Sequence, residues 1–138
     1  MKTYVLDASA LFAFLRDKPG ASKVDELLKE AMRGRARVLM SAVNYGEVYG
    51  TILREYGPEQ ALTAAHAVSP LPIEMMDATP QRACKAADIK ARHKLYYVDS
   101  FAAALAIEHK ATLVTSDSDP QTRSRFSRRL AEGLRKAV

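Results

Sequence analysis

The most restrictive feature of the sequence is the segment from residue 97 to residue 117, YVDSFAAALAIEHKATLVTSD, in which a long apolar run is followed almost at once by a shorter one. The first run is rich in alanine and leucine and predicts a helix, and the histidine and lysine after it suit a helix C-terminus. The second run, ATLV, predicts a buried strand. A helix of roughly 16 Å followed by a strand of roughly 17 Å brings the chain back to its starting level. We therefore predict that Asp99 and Asp117 lie at the same end of the domain.

Short β-rich runs alternate with helical patterns along the rest of the chain. This alternation is typical of an α/β fold with a mainly parallel sheet, and a chain of 138 residues is most simply one domain, ending in a basic tail from about residue 121. We predict strands at residues 3–6, 38–40 and 111–114, an extended segment at 71–76, and helices over 8–16, 22–33, 42–56, 58–68, 80–93 and 99–110. Ser41 and Thr79 are the expected N-caps of the helices that follow them.

Composition restricts where such a chain works. Hydrophobic residues make up 48% of the sequence and charged residues 27%, as in a soluble globular domain, and no apolar run approaches the roughly 18 residues of a membrane helix. The start, MKTYVLD, leads directly into a strand, so we expect no signal peptide. Cys84 is the single cysteine; it excludes an internal disulfide, suits a reducing cytoplasm and is expected to be a packing residue of its helix. We therefore predict a cytoplasmic protein without a membrane segment.

Positive charge is concentrated at the end of the chain. The net charge is +5, and the segment from Arg123 to Val138 holds six basic residues against one acid, Glu132. A basic segment is either a solvated tail or a surface with affinity for nucleic acid. Its occurrence beside a predicted acidic edge favours the second interpretation.

Four acids can be placed at one edge of the predicted sheet. Asp7 directly follows the first strand, and Glu47 lies six residues past Ser41, roughly 9 Å along the helix after the second strand. Asp99 opens a helix and Asp117 closes a strand. In parallel sheets, sites gather beyond the carboxyl ends of the strands, so we expect these acids to converge.

Each acid taken alone has an ordinary explanation. Asp7 or Asp99 could be a helix N-cap, and an isolated aspartate in a loop such as Asp117 often binds its own backbone. Glu47 differs because it stands in a helix interior between two glycines, at positions 46 and 50, each of which costs about 1 kcal/mol relative to alanine. These glycines predict that another group approaches the helix backbone closely.

Taken together, converging acids call for a counter-charge. Four carboxylates within a few ångströms would repel one another and raise their pKa values, and a divalent cation resolves this repulsion. The three histidines fall in separate predicted helices without metal-ligand spacing, and oxygen donors alone favour Mg²⁺ or Mn²⁺ over Zn²⁺. The sequence therefore predicts a magnesium or manganese site.

Four segments together, VLDASALFAFL, SAVNYGEVYG, YYVDSFAAALA and TLVTSDSD, resemble the motifs of PIN domains, in particular the compact VapC-type toxins of toxin–antitoxin pairs. The resemblance extends from Thr3 to about Asp119 in the right order. It implies a three-layer α/β/α fold and the metal-dependent hydrolysis of RNA phosphodiester bonds. It also implies a VapB-type antitoxin as partner and a homodimer, for which Leu27, Leu28, Ile52, Leu53 and Tyr56 offer apolar helix faces.

The resemblance also assigns roles to residues of this chain. Asp7, Glu47 and Asp99 match the three core acids of the family, and Asp117 matches the fourth, more variable one, so these four are the expected metal ligands and catalytic residues. Family members usually continue with an aromatic residue and a closing strand, whereas this chain has Ser118-Asp119-Pro120-Gln121 and a basic tail. Asp119 could therefore share or replace the role of Asp117. The expected supporting residues near the acids are Ser9, Asn44, Thr115 and Ser116.

The chemistry of such a site requires cations of the protein as well. A metal ion would polarise the phosphodiester and lower the pKa of a bound water, while basic side chains would hold the RNA backbone. The candidates for this second role are Arg16, Lys18, Lys94 and the cluster that begins at Arg123.

Two other classes of function use similar residues. A PIN-like domain could bind RNA or a partner without cleaving it, although a negative pocket brings a non-cleaving RNA binder no benefit. A Mg²⁺-dependent phosphohydrolase or a phospho-receiver would also place acids at strand ends. A dehalogenase-like phosphohydrolase would have an acid where Ser9 stands, and a receiver would have paired acids after the first strand and a lysine after the last.

Overall fold

A computed structural model of the protein describes residues 1–116, which form four strands and six helices. The predicted alternation of strands and helices is confirmed in this range. The elements are β1 (Lys2–Leu6), α1 (Ala8–Leu15), α2 (Ala21–Met32), β2 (Ala36–Ser41), α3 (Ala42–Tyr56), α4 (Pro58–Val68), β3 (Glu74–Met76), α5 (Pro80–His93), α6 (Tyr97–Glu108) and β4 (Thr112–Val114).

The four strands form one sheet in the order β3-β2-β1-β4, and every neighbouring pair is parallel. In the register of the central strands, Val5 is opposite Leu39 and Leu6 is opposite Val114. Because all four strands run the same way, their carboxyl ends share one edge of the sheet. The predicted α/β fold with a parallel central sheet is confirmed.

The side chains of the two central strands alternate between two helical layers, as the two-residue period of a strand requires. On one face, Leu6 and Val38 pack with Val24 and Leu28 of α2, and α1, α3 and α4 belong to the same layer. On the other face, Val5 and Leu39 pack against α6, which is covered in turn by α5. The three-layer α/β/α arrangement is therefore as predicted.

Helix α6 is the most deeply buried helix among the described residues. Every residue from Ser100 to Ala106 is buried, and alanines at 102 and 106 allow the helix to lie close to the sheet. The hydroxyl of Ser100 is satisfied within the helix, since it donates to the Tyr96 carbonyl at 2.9 Å. This close fit fixes the first turn of α6, which carries Asp99.

Two predicted helix caps are present in the fold, whereas two other predictions are wrong. Ser41 and Thr79 cap α3 and α5 as expected, through bonds from the backbone N–H groups of Val43 and Arg82. The predicted start of α6 at Asp99 is wrong: the helix begins two residues earlier, so Asp99 lies in its first turn and is not its cap. The prediction that Cys84 is a packing residue is also wrong, because its side chain is exposed on α5.

Among residues 1–116 no helix combines the length and the apolar character that crossing a bilayer requires.

The stability of the fold should depend strongly on Leu39, which lies on the central strand β2. We expect Leu39→Ala to lower the free energy of unfolding by about 2–5 kcal/mol, because Leu39 is fully buried and its truncation leaves a cavity. Leu62→Ala is the matched control: Leu62 is 53% exposed on α4, and its truncation should change stability by no more than about 0.5 kcal/mol. Urea unfolding of the two variants measures the difference, and equal losses would contradict the described core.

Candidate active site

Asp7 stands at the carboxyl end of β1, where it both caps α1 and faces the candidate site. Its side chain is buried, and its Oδ1 accepts hydrogen bonds from the backbone N–H of Ala10 at 2.9 Å and from the Ser9 hydroxyl at 2.7 Å. Its own backbone N–H donates to the carbonyl of Val114 at the end of β4, at 3.1 Å. The carboxylate is therefore held in one orientation by two donors, and the capping explanation does not exclude a functional one.

Ser9 links the ends of β1 and β4. Because its single hydroxyl proton is donated to Asp7, its oxygen acts as an acceptor towards its other neighbours. It accepts from the Thr115 hydroxyl at 3.1 Å and from the backbone N–H of Ser116 at 2.9 Å. Ser9 and Thr115 thus form a chain of hydroxyls that ends on the Asp7 carboxylate.

The hydroxyl of Ser116 points elsewhere. It donates to the carbonyl of Pro19 in the turn between α1 and α2, at 2.5 Å. Of the two neighbouring hydroxyls that were expected to support the acids, that of Thr115 is bonded towards Asp7. The Ser116 side chain fastens the turn instead.

Asn44 brings α3 to the first turn of α6. It is fully buried, and its Nδ2 donates to the carbonyl of Val98, the residue before Asp99, at 3.0 Å. Glu47 lies three residues further along α3, on the same side of the helix. The Oδ1 atom of Asn44 is buried and has no hydrogen-bond partner among the described residues. A buried acceptor left in this state costs about 1–3 kcal/mol, so this atom is suited to a polar group that binds at the site.

The electrostatics of Glu47 show that three of the predicted acids interact. Glu47 remains accessible to solvent, yet its pKa lies above the ordinary value. The largest cause is the loss of part of its hydration, followed by the negative charges of Asp99 and Asp7. Asp99 and Asp7 are therefore close enough to Glu47 for their negative charges to add to its cost of ionisation.

The described residues leave open space beside the two glycines that flank Glu47. A Cβ atom built on Gly46 or on Gly50 would meet no atom of the described residues within 4 Å. No atom of residues 1–116 therefore makes the predicted close approach, and the approach of another group to this helix face stays a prediction.

The donor set fits a hard divalent cation, although it is incomplete in the described range. Within residues 1–116, no three carboxylate, histidine or cysteine side chains lie close enough together to form a ready-made metal cluster. Asp7, Glu47 and Asp99 carry oxygen donors of the kind that Mg²⁺ and Mn²⁺ prefer, and Mg²⁺ usually retains several waters, so the metal site stays a prediction. Asp117, the predicted fourth ligand, and Asp119, which could share or replace its role, lie outside the described residues.

A groove of about 470 Å³ runs between α1 and α3, and Glu47 is the predicted acid within the described residues that lines it. A smaller cavity of about 170 Å³ lies under α5 and α6, and none of the predicted acids lines it. Sequence reasoning did not identify the apolar floor of the larger groove, because the same apolar residues also pack in the core. The groove is lined by Ala8, Ser9, Phe12, Ala13, Lys18, Pro19, Glu47, Val48, Thr51, Glu55 and Ser116.

The predicted RNA-binding cations differ in their positions. Lys18 lines the groove, whereas the guanidinium carbon of Arg16 lies 3.8 Å from the centre of the Tyr56 ring. Lys94 ends α5 in a left-handed conformation and is exposed. Arg123 lies outside the described residues.

Solved structures share this architecture at low sequence identity. VapBC-1 from nontypeable Haemophilus influenzae matches with a TM-score of 0.66 and 18% identity over 94% of this chain and 93% of that one. Mycobacterium tuberculosis VapC20, a sarcin–ricin-loop-cleaving toxin, matches with a TM-score of 0.66 and 17% identity over 84% and 91%. VapBC2 from Rickettsia felis, bound to a fragment of promoter DNA, matches with a TM-score of 0.65 and 18% identity over 83% and 88%.

A comparison with curated proteins finds no match. The family model of the PIN domain matches residues 4–126, which is most of the sequence and includes all four segments with PIN-like motifs. Together with the fold and the acids at the edge of its sheet, this match shows that the chain belongs to the PIN domain family.

Proposed function

We propose that this protein is a Mg²⁺- or Mn²⁺-dependent endoribonuclease and the toxin of a VapBC-type toxin–antitoxin pair. The observation that carries the proposal is that, in a PIN-family fold, the negative charges of Asp99 and Asp7 contribute to the raised pKa of Glu47. The likeness to VapC20 and to VapBC complexes supports RNA as substrate and a VapB-type antitoxin as partner. Exposed Leu53 and Tyr56 on α3 are candidates for contacts with a second copy of the chain.

In this proposal each acid has a separate task. Asp7, already oriented by Ser9 and Ala10, and Asp99 in the first turn of α6 hold the ion, with Asp117 as the expected third ligand. A bound ion would supply positive charge there, suited to polarising a phosphodiester and to lowering the pKa of a water. Glu47, which stays accessible to solvent, orients that water or a second ion.

The alternatives receive no support from particular contacts. A phosphohydrolase of the dehalogenase type needs a carboxylate at position 9, whereas the Ser9 hydroxyl is committed to Asp7. An RNA binder without activity would lose affinity through the clustered acids, which repel phosphate. Both alternatives are separated from the proposal by the same experiment.

Metal-dependent cleavage of RNA is the direct test. We expect the purified protein to cut single-stranded or structured RNA with Mg²⁺ or Mn²⁺ and to be inactive in EDTA. Asp99→Asn should reduce the rate by about 10³-fold or more, because ion-mediated charge stabilisation contributes several kcal/mol and each 1.4 kcal/mol is a factor of ten.

Asp88→Asn is the matched control, since Asp88 is exposed on α5 and pairs with Arg92. It should retain full activity. Cleavage that persists in EDTA, or that Asp99→Asn leaves unchanged, would contradict the proposed reaction. RNA binding without cleavage in any ion would favour the non-cleaving alternative.

The pH dependence of stability tests the coupling of the acids separately from activity. Because the folded protein holds the Glu47 proton more tightly than the unfolded chain, ionisation of Glu47 costs folding free energy. This contribution to stability is complete below the ordinary glutamate pKa of about 4.3 and is lost as pH rises through the raised pKa. In metal-free buffer, Glu47→Gln should therefore gain stability relative to the wild type over this window, and Mg²⁺ should reduce the difference.

Glu55→Gln provides the control for this measurement. Glu55 lies on the same helix, about 12 Å further along, and its replacement should show no such growth of the difference with pH. Thermal unfolding between pH 4 and pH 8 with EDTA or Mg²⁺ gives the comparison. A wild-type and Glu47→Gln difference that is constant with pH would refute the interaction of the three acids.

The toxin role has a cellular test. Expression of the wild type in a bacterial host should arrest growth, because unregulated cleavage of RNA stops translation, whereas Asp99→Asn should allow growth. Asp88→Asn should arrest growth like the wild type. Normal growth of cells whose extracts contain the active nuclease would indicate an RNA-processing role.

A further inference from the structure

Three hydrogen bonds hold the turn between α1 and α2 around Lys18. The Lys18 backbone N–H donates to the carbonyl of Ala13 at 2.9 Å, and the Lys18 carbonyl accepts from Ala21 N–H at 3.0 Å. The carbonyl of the next residue, Pro19, accepts from the Ser116 hydroxyl at the end of β4. The backbone that carries Lys18 is therefore fixed relative to both helices and to the strand that leads to Asp117.

Gly20 makes this fastening possible. Its φ is +101°, a conformation that side-chain-bearing residues rarely adopt, and a Cβ atom at this position would collide with the Ser116 side chain. The glycine thus allows the turn to close on Ser116. Gly20 is also the N-cap residue of α2, and its carbonyl accepts a hydrogen bond from the backbone N–H of Val24 at 3.3 Å.

Lys18 has the electrostatic character of a ligand-binding residue. Of the described residues that line the groove, it alone is positively charged, and Glu47 and Glu55 line the same groove. No ion pair joins Lys18 to another residue within the described range. A fixed backbone therefore presents an ammonium group that has no ion-pair partner among residues 1–116, in a groove that Glu47 also lines, where it is available to an anionic group of a ligand.

We propose that Lys18 binds a phosphate that flanks the cleaved bond of single-stranded RNA, and that Gly20 and Ser116 are positioning residues that hold it there. This inference rests on the proposed function, because it concerns the substrate of the same site. Lys18 touches a phosphate that does not react, so it contributes equally to the binding of the substrate and of the transition state. Its loss should therefore raise KM and leave kcat nearly unchanged.

Lys18→Ala is the first test, with Lys23→Ala as the matched control. Lys23 is likewise an exposed lysine close in sequence, but it does not line the groove. We expect Lys18→Ala to raise KM for a single-stranded RNA by about tenfold, whereas Lys23→Ala should change it less than about twofold. In an Asp99→Asn background, which does not consume the RNA, the slope of log affinity against log salt should fall by about 0.7 for Lys18→Ala only.

The positioning role is tested by combining substitutions. Gly20→Ala should raise KM with Lys18 still present, and adding it to Lys18→Ala should raise KM little further, because both act on one contact. Ser116→Ala breaks the bond to Pro19 without overcrowding the turn and serves as the second variant if Gly20→Ala folds poorly. A purely structural role would lower the melting temperature without changing KM or the salt slope.

The possible failures are distinguishable. If the wild type cleaves RNA while Lys18→Ala behaves like Lys23→Ala, the inference about Lys18 is wrong and the proposed function stands. If the wild type cleaves no RNA but binds it, the proposed function is wrong and the salt slope alone decides the inference. The absence of RNA binding overturns both. If Gly20→Ala and Ser116→Ala keep the wild-type KM, their positioning role is refuted.

Discussion

The hydroxyl of Ser9 is the contact on which the geometry of the site depends. It donates to Asp7 at the end of β1 and accepts from Thr115 and Ser116 at the end of β4. One short side chain can join these segments because β1 and β4 are parallel neighbours and leave the sheet at the same edge. The hydrogen bond that Ser9 donates to Asp7 also stabilises the negative charge of this carboxylate and so offsets part of the repulsion from the other acids.

Much of the fold could be predicted from sequence because its elements obey local rules. The apolar periods, the N-caps Ser41 and Thr79 and the break at Gly57-Pro58 lie where the helices begin and end. Helix α6 departs from these rules because its N-cap residue is Tyr96, whose side chain makes no capping bond. Contacts from other elements, such as the bond from Asn44 to Val98, outweigh the local preference of an aspartate for the cap position.

The approach of Glu47 to Asp7 and Asp99 could also be predicted, because the carboxyl ends of parallel strands lie at the same edge of the sheet. Contacts between distant side chains could not. Ser116 bonds to Pro19 across 97 positions of sequence, and no local pattern distinguishes its hydroxyl from that of its neighbour. The glycines beside Glu47 are hard to interpret for a similar reason, because sequence alone does not identify the group that approaches an interior glycine.

The charges of the groove imply that the ion and the RNA bind cooperatively if the proposed function is correct. The raised pKa of Glu47 means that this acid resists ionisation in the metal-free protein, and an RNA phosphate would add further repulsion. A bound cation removes both costs, so it must increase the affinity for RNA, and by linkage RNA must increase the affinity for the cation by the same factor. Lys18 offsets only part of the negative charge from the rim of the groove. If the proposed function is correct, the described lining of the groove would therefore repel phosphates without the ion, and this distribution of charge would restrict productive binding to the metal-loaded protein.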